Sequence, residues 1–305
     1  MKSVLIVGSL NMDASVSAAR LPVSGETVTG KSISYTPGGK GANQAAAAGK
    51  LADSSQVHMI GCVGKDVFGG RLIDSLAASN VGTQGIRMCD DCSTGSAIVM
   101  VDDTGANRII VVPGSNSCCN TAYIQSMDAM LQKADYVMFQ MEIPLDAVYY
   151  GIRRSKELGK TVILNPAPAP GPIPADILRL VDYLTPNETE LMQIGGCGGE
   201  KLEYYTQAAK SLIDCGVGNV IVTLGSQGAL VVNRDLEELV PAVPAEAVDT
   251  TAAGDCFNAA MVVALAEGKP LLQAVRFANA AAAISVSRKG AQSSLPARQE
   301  VLQSF

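Results

Sequence analysis

Short apolar, β-rich runs recur along the chain at Val4–Val7, Val57–Ile60, Ala97–Val101, Ile109–Val112, Tyr136–Phe139, Thr161–Leu164 and Val220–Leu224. Longer stretches with helical character lie between many of them: Ala42–Leu51, Val67–Ala78, Ala122–Gln132, Leu145–Leu158, Tyr204–Cys215, Asp255–Glu267 and Leu271–Ser287. Strands that alternate with helices predict a mostly parallel sheet covered on both faces, an α/β protein. Two segments break this rhythm. Glu26–Tyr35 mixes polar and apolar residues without an intervening helix, and about 82–112 carries β-prone runs separated by Thr94–Gly95 and Asp103–Thr104–Gly105, as in hairpins. Together they predict a small antiparallel sheet beside the main one, contributed by about 14–37 and 82–112.

A length of 305 residues allows two domains or one large α/β unit. No linker, repeat or low-complexity tract divides the chain, and the Pro-rich segment Asn165–Pro174 reads as a turn after a strand, so a single domain spanning 1–305 is expected. With 48% hydrophobic and 17% charged residues the chain can bury a sizeable core. A net charge of −6 provides no basic field for nucleic acid or an anionic membrane, and an anionic substrate needs a local solution. The single histidine, His58, excludes multi-histidine metal sites and leaves acid–base work to carboxylates. Eight cysteines (62, 89, 92, 118, 119, 197, 215 and 256) are too few for a disulfide scaffold and fit a reducing cytoplasm. Cys89 and Cys92 have CxxC spacing, but without a second such pair the spacing reads as chance. Val4–Val7 is too short for a signal-peptide core or a membrane span and reads as a buried strand.

Gly25–Ser32 matches the P-loop expression GxxxxGK[ST], yet Pro22 precedes it and a β-like pattern follows it, so the strand–loop–helix context of a P-loop is missing. Gly38-Gly39-Lys40-Gly41-Ala42-Asn43-Gln44 opens an Ala-rich helix, where exposed N–H groups and close backbone approach suit a polar ligand; a tight turn with a helix start is the plainer alternative. Asp249–Asn258 places small residues at the start of an apolar helix, a ready anion site, although Asp255 alone could be only a dipole partner or cap. Asn187 and Glu190, three apart, share a helical face; capping explains them, and their oxygens also suit hydrated Mg²⁺. Thr223–Gly228 ends an apolar strand with glycines, at the carboxyl edge where open α/β sheets bind ligands.

In this order, Gly8–Asp13, Gly38–Asn43, Thr185–Glu190 and Asp249–Asp255 resemble the ribokinase branch of the PfkB carbohydrate kinase family over nearly the whole chain. Ala252-Ala253-Gly254-Asp255 stands where many members have Gly-Ala-Gly-Asp, a form similar to the ribokinase branch. The resemblance implies a three-layer α/β/α fold with a β-sheet lid, a homodimer paired through that lid, and ATP-dependent phosphorylation of D-ribose at O5. It implies Asp255 as general base, with an anion hole at Ala252, Ala253 and Gly254. Asn11, Met12, Asp13, Gly39, Lys40, Gly41, Ala42, Asn43, Glu142 and Asp255 would hold the sugar. Asn187, Thr223, Leu224, Gly225, Ser226, Gln227, Gly228, Gly254 and Asn279 would line the ATP site, with Asn187 and Glu190 associated with Mg²⁺. A monovalent cation, K⁺, would lie beside Asp249, Thr251, Ser285, Arg288, Gly290 and Ser294, several of them through backbone carbonyls. Other readings are another kinase of the family, for deoxyribose, a ketose or a nucleoside, and a non-catalytic sugar or nucleotide sensor. A dinucleotide-dependent dehydrogenase is disfavoured because Gly8 is followed by Ser-Leu-Asn-Met-Asp instead of GxGxxG.

Overall fold

The structure, a computed structural model, describes residues 2–53, 56–195, 199 and 201–304. Its strands are β1 Ser3–Val7, β2 Asn11–Ala18, β3 Gly30–Gly38, β4 Gln56–Gly64, β5 Val81–Cys89, β6 Gly95–Val101, β7 Asn107–Val112, β8 Tyr136–Phe139, β9 Thr161–Leu164, β10 Tyr183–Leu184, β11 Asn219–Thr223, β12 Ala229–Val232 and β13 Glu237–Val240. Its helices are α1 Lys40–Leu51, α2 Val67–Ala78, α3 Thr121–Ser126, α4 Asp128–Lys133, α5 Leu145–Glu157, α6 Ala175–Leu178, α7 Glu188–Gly195, α8 Leu202–Asp214, α9 Ala253–Ala266, α10 Leu271–Val286 and α11 Arg298–Gln303. None is long and apolar enough to cross a membrane.

Nine strands form the large sheet in the order β13-β12-β11-β10-β9-β8-β1-β4-β5, with every pair from β11 to β5 parallel. The sequence of β1 shows why it lies at the centre. Val4 and Ile6 enter one apolar cluster and Leu5 and Val7 the other, as a strand buried on both faces requires. The first cluster takes in α1, α9 and α10, and the second takes in α5 and α8, giving three α/β/α layers. Helix α9 is apolar around its whole circumference and buried from Asp255 to Ala266, so it is a core helix. The chain winds outward from β1 through β4 and β5, then returns to β8 and winds the other way; that reversal beside β1 is where open α/β sheets leave a crevice at their carboxyl edge.

The second sheet has four strands in the order β3-β2-β6-β7. It departs from the sequence expectation in three ways. It is mixed, because β2 and β6 pair in parallel while β2/β3 and β6/β7 are antiparallel. Residues 82–89, expected in the small sheet, pair in parallel with β4 as the edge of the large one, because α2 makes a β–α–β crossover between them. The first contribution is also shifted: β2 begins at Asn11, and β3 begins only at Gly30. Gly25–Ser32 accordingly runs through a turn into β3 with no helix, so the P-loop match is fortuitous. The single helix expected at Ala122–Gln132 divides at Met127, where the chain closes a turn with Met127 N–H donating to the Ile124 carbonyl at 3.0 Å.

Candidate active site

Asp255 sits in the first turn of α9, 7% exposed, and is held from two directions by α1. Asn43 Nδ2 donates to Asp255 Oδ2 at 3.0 Å, and Gln44 Nε2 donates to Oδ1 at 3.0 Å. Burial pushes its carboxyl above the ordinary aspartate range, while the Lys40 charge and these two amides pull the other way. The turn before it is unusual. Ala252 has φ 60°, a left-handed conformation for a residue with a Cβ, and caps α9 without any side-chain bond. Ala253 N–H turns back to the Thr250 carbonyl at 3.2 Å, which leaves the N–H groups of Gly254 and Asp255 as the orphan donors of the helix start. A Cβ built on Gly254 would meet nothing within 4 Å, so this positive helix end opens on free space.

The glycine-rich segment packs β3 and α1 onto the end of β1. Gly39 has φ 88°, and a Cβ there would lie 2.8 Å from the Asn11 nitrogen; one on Gly41 would lie 2.6 Å from the Ser9 nitrogen. This closeness brings Lys40, Asn43, Asn11 and Asp13 together. Lys40 N–H donates to Glu142 Oε2 at 3.0 Å, and the Ser9 hydroxyl donates to the same oxygen at 2.6 Å. Burial disfavours the Lys40 charge, but Asp255, Glu142 and Glu190 outweigh it and raise its pKa. Asn11 Oδ1 accepts from Asn116 Nδ2 at 2.7 Å, which fixes its orientation. Asp13 is pushed up to about 6, by burial first and by the Glu142 charge second. Asp13 Oδ1 and Asn43 Oδ1 are buried acceptors with no hydrogen-bond partner among the described residues. Met12 and Ala42 differ from their neighbours: both side chains lie in the apolar core and can only shape the site.

Asn187 and Glu190 form a reciprocal cap on α7: Glu190 N–H donates to Asn187 Oδ1 at 2.8 Å, and Asn187 N–H donates to Glu190 Oε2 at 2.9 Å. Burial raises the Glu190 pKa, with the Asp255 charge adding to it and Lys40 opposing. Asn187 also bridges to Thr223 at the end of β11. Beyond it, Gly225–Gln227 make one tight turn closed by Leu224 N–H donating to the Gly228 carbonyl at 2.8 Å, with Leu224 itself in the core. Gly225 and Gly228 have φ 53° and 102°; Gly225 and Ser226 are turned outward, and a Cβ on Gly228 would lie 2.1 Å from the Val240 carbonyl oxygen. Asn279 Nδ2 donates to the Val240 and Pro241 carbonyls at 3.1 and 3.0 Å, so it anchors the chain leaving β13 and keeps only Oδ1 for a ligand.

The loop before α9 is braced from the C-terminal segment. Asp249 accepts from Thr251 N–H and from Gly290 N–H, both at 2.9 Å, and these bonds overcome the burial that would raise its pKa and hold it low. Ser285 and Ser294 are fully buried and bond to each other at 2.9 Å, while the Arg288 guanidinium pairs with Glu300. Of the residues that the resemblance gives to a cation, Asp249 alone brings an anionic side chain here.

Four polar residues carry no role in the sequence reading, although Gln44, Ser9 and Asn165 lie within segments it singles out. Gln44 orients Asp255, and is itself held by Gln140 Nε2 donating to Gln44 Oε1 at 2.5 Å and by its own Nε2 donating to Asn165 Oδ1 at 3.1 Å. Gln140 and Asn165 each follow an apolar strand, β8 and β9, and this position at a carboxyl edge is the signal that could have found them. Gln44 stands out as a polar residue in a buried alanine run, and Ser9 is a buried hydroxyl one residue past Gly8. His58 lies along β4, away from this cluster.

The chain matches the pfkB family carbohydrate kinase profile over residues 1–298. It is 37% identical to the ribokinase of Haemophilus influenzae over 302 residues, covering 99% of this chain and 98% of that one. It is 35% identical to the deoxyribokinase of Salmonella typhi over 297 residues, covering 97% and 96%. The structure of Arabidopsis thaliana ribokinase complexed with ribose and ATP superimposes with a TM-score of 0.94 at 36% identity, covering 100% of this chain and 99% of that one.

Proposed function

The chain belongs to the pfkB family of carbohydrate kinases, and on that premise we propose that it is a ribokinase, transferring the γ-phosphoryl group of ATP to O5 of D-ribose. The observation that carries the sugar side is the pair of unpartnered buried acceptors, Asp13 Oδ1 and Asn43 Oδ1, beside the amide-held Asp255. Buried acceptors without donors favour a ligand rich in hydroxyl groups and reject analogues that lack them. Lys40 and Asn11 add donors, and Glu142 holds the Lys40 backbone in place.

Asp255 takes the proton of the attacking hydroxyl. Its raised pKa makes it a better proton acceptor than a free aspartate, and in a loose phosphoryl transfer proton loss comes late, so a carboxylate suffices. The N–H groups of Gly254 and Asp255 and the α9 dipole receive the charge on the moving phosphoryl group. Ala252 acts by turning the chain so that these donors face the open side. ATP lies against Asn187 and the Thr223–Gly228 turn, with Gly225 and Ser226 offering backbone that a base and ribose can approach closely. Glu190 keeps Oε1 free of the cap, so it and Asn187 fit Mg²⁺ held through water, which when bound neutralises phosphate charge. Asp249 and the carbonyls around Ser285, Arg288 and Gly290 fit K⁺, which would steady the α9 turn.

The small sheet serves as the lid. Ile109, Ile110, Val111 and Val112 of β7 are 43–59% exposed although successive residues point to opposite faces, so both faces of the lid lack cover. One face closes over sugar and the other pairs with the lid of a second copy; light scattering should give the mass of a homodimer, and a monomer at micromolar concentration would overturn the pairing. The setting is the cytoplasm, where ATP and free thiols coexist; the seven described cysteines are all free, and Cys197 lies outside the described residues.

The substrate is tested by coupled ADP release over a panel of ribose, deoxyribose, hexoses, ketoses and nucleosides, each in K⁺ and in a large organic cation. Ribose turns over fastest, and faster in K⁺. Turnover of deoxyribose or a nucleoside without ribose would overturn the substrate, and equal rates in both buffers would remove the cation.

A further inference from the structure

Sequence spacing offers two thiols at Cys89 and Cys92, too few to hold a metal; the fold adds a third. Cys89 ends β5, Cys92 lies in the turn leading to β6, and Cys118 closes the short 3₁₀ turn Gly114–Cys118 that follows β7. Their three sulfurs lie within 4.8 Å of one another, and Cys92 Sγ is 3.2 Å from Cys118 Sγ. We propose that Cys89, Cys92 and Cys118 form a binding site for a thiophilic divalent metal such as zinc, placed across two of the four connections that join the small sheet to the large one, β5–β6 and the one leaving β7. Bonds of about 2.3 Å from zinc to thiolate put tetrahedral sulfurs about 3.8 Å apart, so the cluster closes on a metal with shifts of about half an ångström. All three residues are half-buried, which leaves a fourth position for water.

The surroundings suit a metal held by three thiolates. Each thiol releases its proton to solvent, so M²⁺ and three thiols give a complex of charge −1 and three protons. Arg87 supplies the opposite charge: its guanidinium lies against Cys89, donates to the Cys118 carbonyl at 2.6 Å and stacks 4.3 Å from the centre of the Tyr123 ring. The backbone is braced before any metal arrives. Lys65 N–H donates to the Cys89 carbonyl at 2.9 Å, Ser115 N–H to the Ser93 carbonyl at 2.8 Å, and Thr94 N–H to Asp66 Oδ2 at 2.8 Å. A metal at this point ties the outgoing strand to the returning one and stiffens the lid at its root. None of these cysteines belongs to the sugar or nucleotide site, so the proposal stands whether or not the chain is a ribokinase.

The test uses the full chain, reduced with a phosphine and freed of metal by chelator, then titrated with Co²⁺ and Cd²⁺. One equivalent of either metal binds per chain with thiolate-to-metal charge-transfer absorption, and Zn²⁺ displaces the Co²⁺. Cys92→Ser and Cys118→Ser lose that absorption and weaken binding at least roughly 100-fold, whereas the exposed Cys215→Ser leaves both unchanged. In the unaltered protein, Zn²⁺ protects Cys89, Cys92 and Cys118 from alkylation, read by mass spectrometry, and slows amide exchange at 92–95 and 114–118. Absence of charge-transfer absorption, or binding unaffected by Cys92→Ser, overturns the site. So does a Cys92–Cys118 disulfide that persists under the same reductant and excludes metal.

Discussion

The two halves of the cleft are made of different material. On the side proposed for the sugar nearly every surface group is a side chain, Asn11, Asp13, Lys40, Asn43 and Asp255, and most are buried and already bonded to a neighbour. On the nucleotide side the surface is largely backbone: a single 3₁₀ turn at Gly225–Gln227, two glycines with positive φ, and a cap. Side chains with fixed partners discriminate between hydroxyl patterns, because an analogue strands a buried acceptor. Backbone turns accept a large ligand by shape and leave its identity to fewer groups. On the proposed assignment the sugar half carries specificity and the nucleotide half carries access.

Asp255→Asn is the severest way to break this contrast, since it keeps the shape of the sugar half and removes its proton acceptor, while the new amide keeps the Gln44 bond and meets Asn43 once the Asn43 amide flips. A kcat loss of about 10²–10⁴-fold is expected, with ribose affinity by calorimetry nearly unchanged. Retention of most of the rate would remove Asp255 as the base.

Asp13 sharpens the contrast through pH. Its folded pKa of about 6 lies above the ordinary 3.8, so the native state holds this proton more tightly than the unfolded chain. The sign follows: stability is fully present below the unfolded value and is partly lost as pH rises from there through about 6. Sugar binding runs the other way, because the ionised carboxylate is the better acceptor. The KM for ribose should rise as pH falls below about 6, while the KM for ATP stays level. Asp13→Asn should raise the ribose KM roughly 10–150-fold and flatten that pH dependence. A profile unchanged by the substitution would place the titration elsewhere.

Gly228→Ala gives the smallest of the three effects and probes the nucleotide half alone. The new Cβ would sit 2.1 Å from the Val240 carbonyl oxygen at φ 102°, at a cost on the order of 1–3 kcal/mol of local strain. The expected result is a several-fold higher KM for ATP, a lower urea midpoint and an unchanged KM for ribose. A matching rise in ribose KM would mean that the halves are not separable.

Much of this was legible in the sequence, for reasons that differ by element. The strand Tyr136–Phe139, the strand Thr161–Leu164 and the helix Val67–Ala78 were found to the residue, because each is a bounded apolar or amphipathic run. Strands β10, β12 and β13 escape the pattern: β10 has only two residues, β13 is half charged, and β12 follows β11 directly through the turn at Gly225–Gln227. Residues 82–89, which the hairpin pattern places in the small sheet, belong to the large one, because the choice between β4 and the hairpin depends on the crossover through α2 and not on residue type. In the candidate site, Asp255 and Asn43 stand out in small-residue loops at helix starts and Asp249 enters through the family resemblance, whereas Gln44, Gln140 and Asn165 give no such signal, because their role lies in one another.

The sequence by itself determined the layers, the apolar helix that carries Asp255 and the glycines that permit close approach, since hydrophobic period and backbone freedom are local properties. Only the tertiary structure decided which polar groups meet. Asn43 and Asp255 are 212 residues apart and Lys40 and Glu142 are 102 apart, yet all converge where the strand order reverses beside β1. The same is true of Cys92 and Cys118, 26 residues apart, which no spacing rule joins. Long-range proximity is set by which strands pair, and pairing is settled by burying both faces of the whole sheet at once.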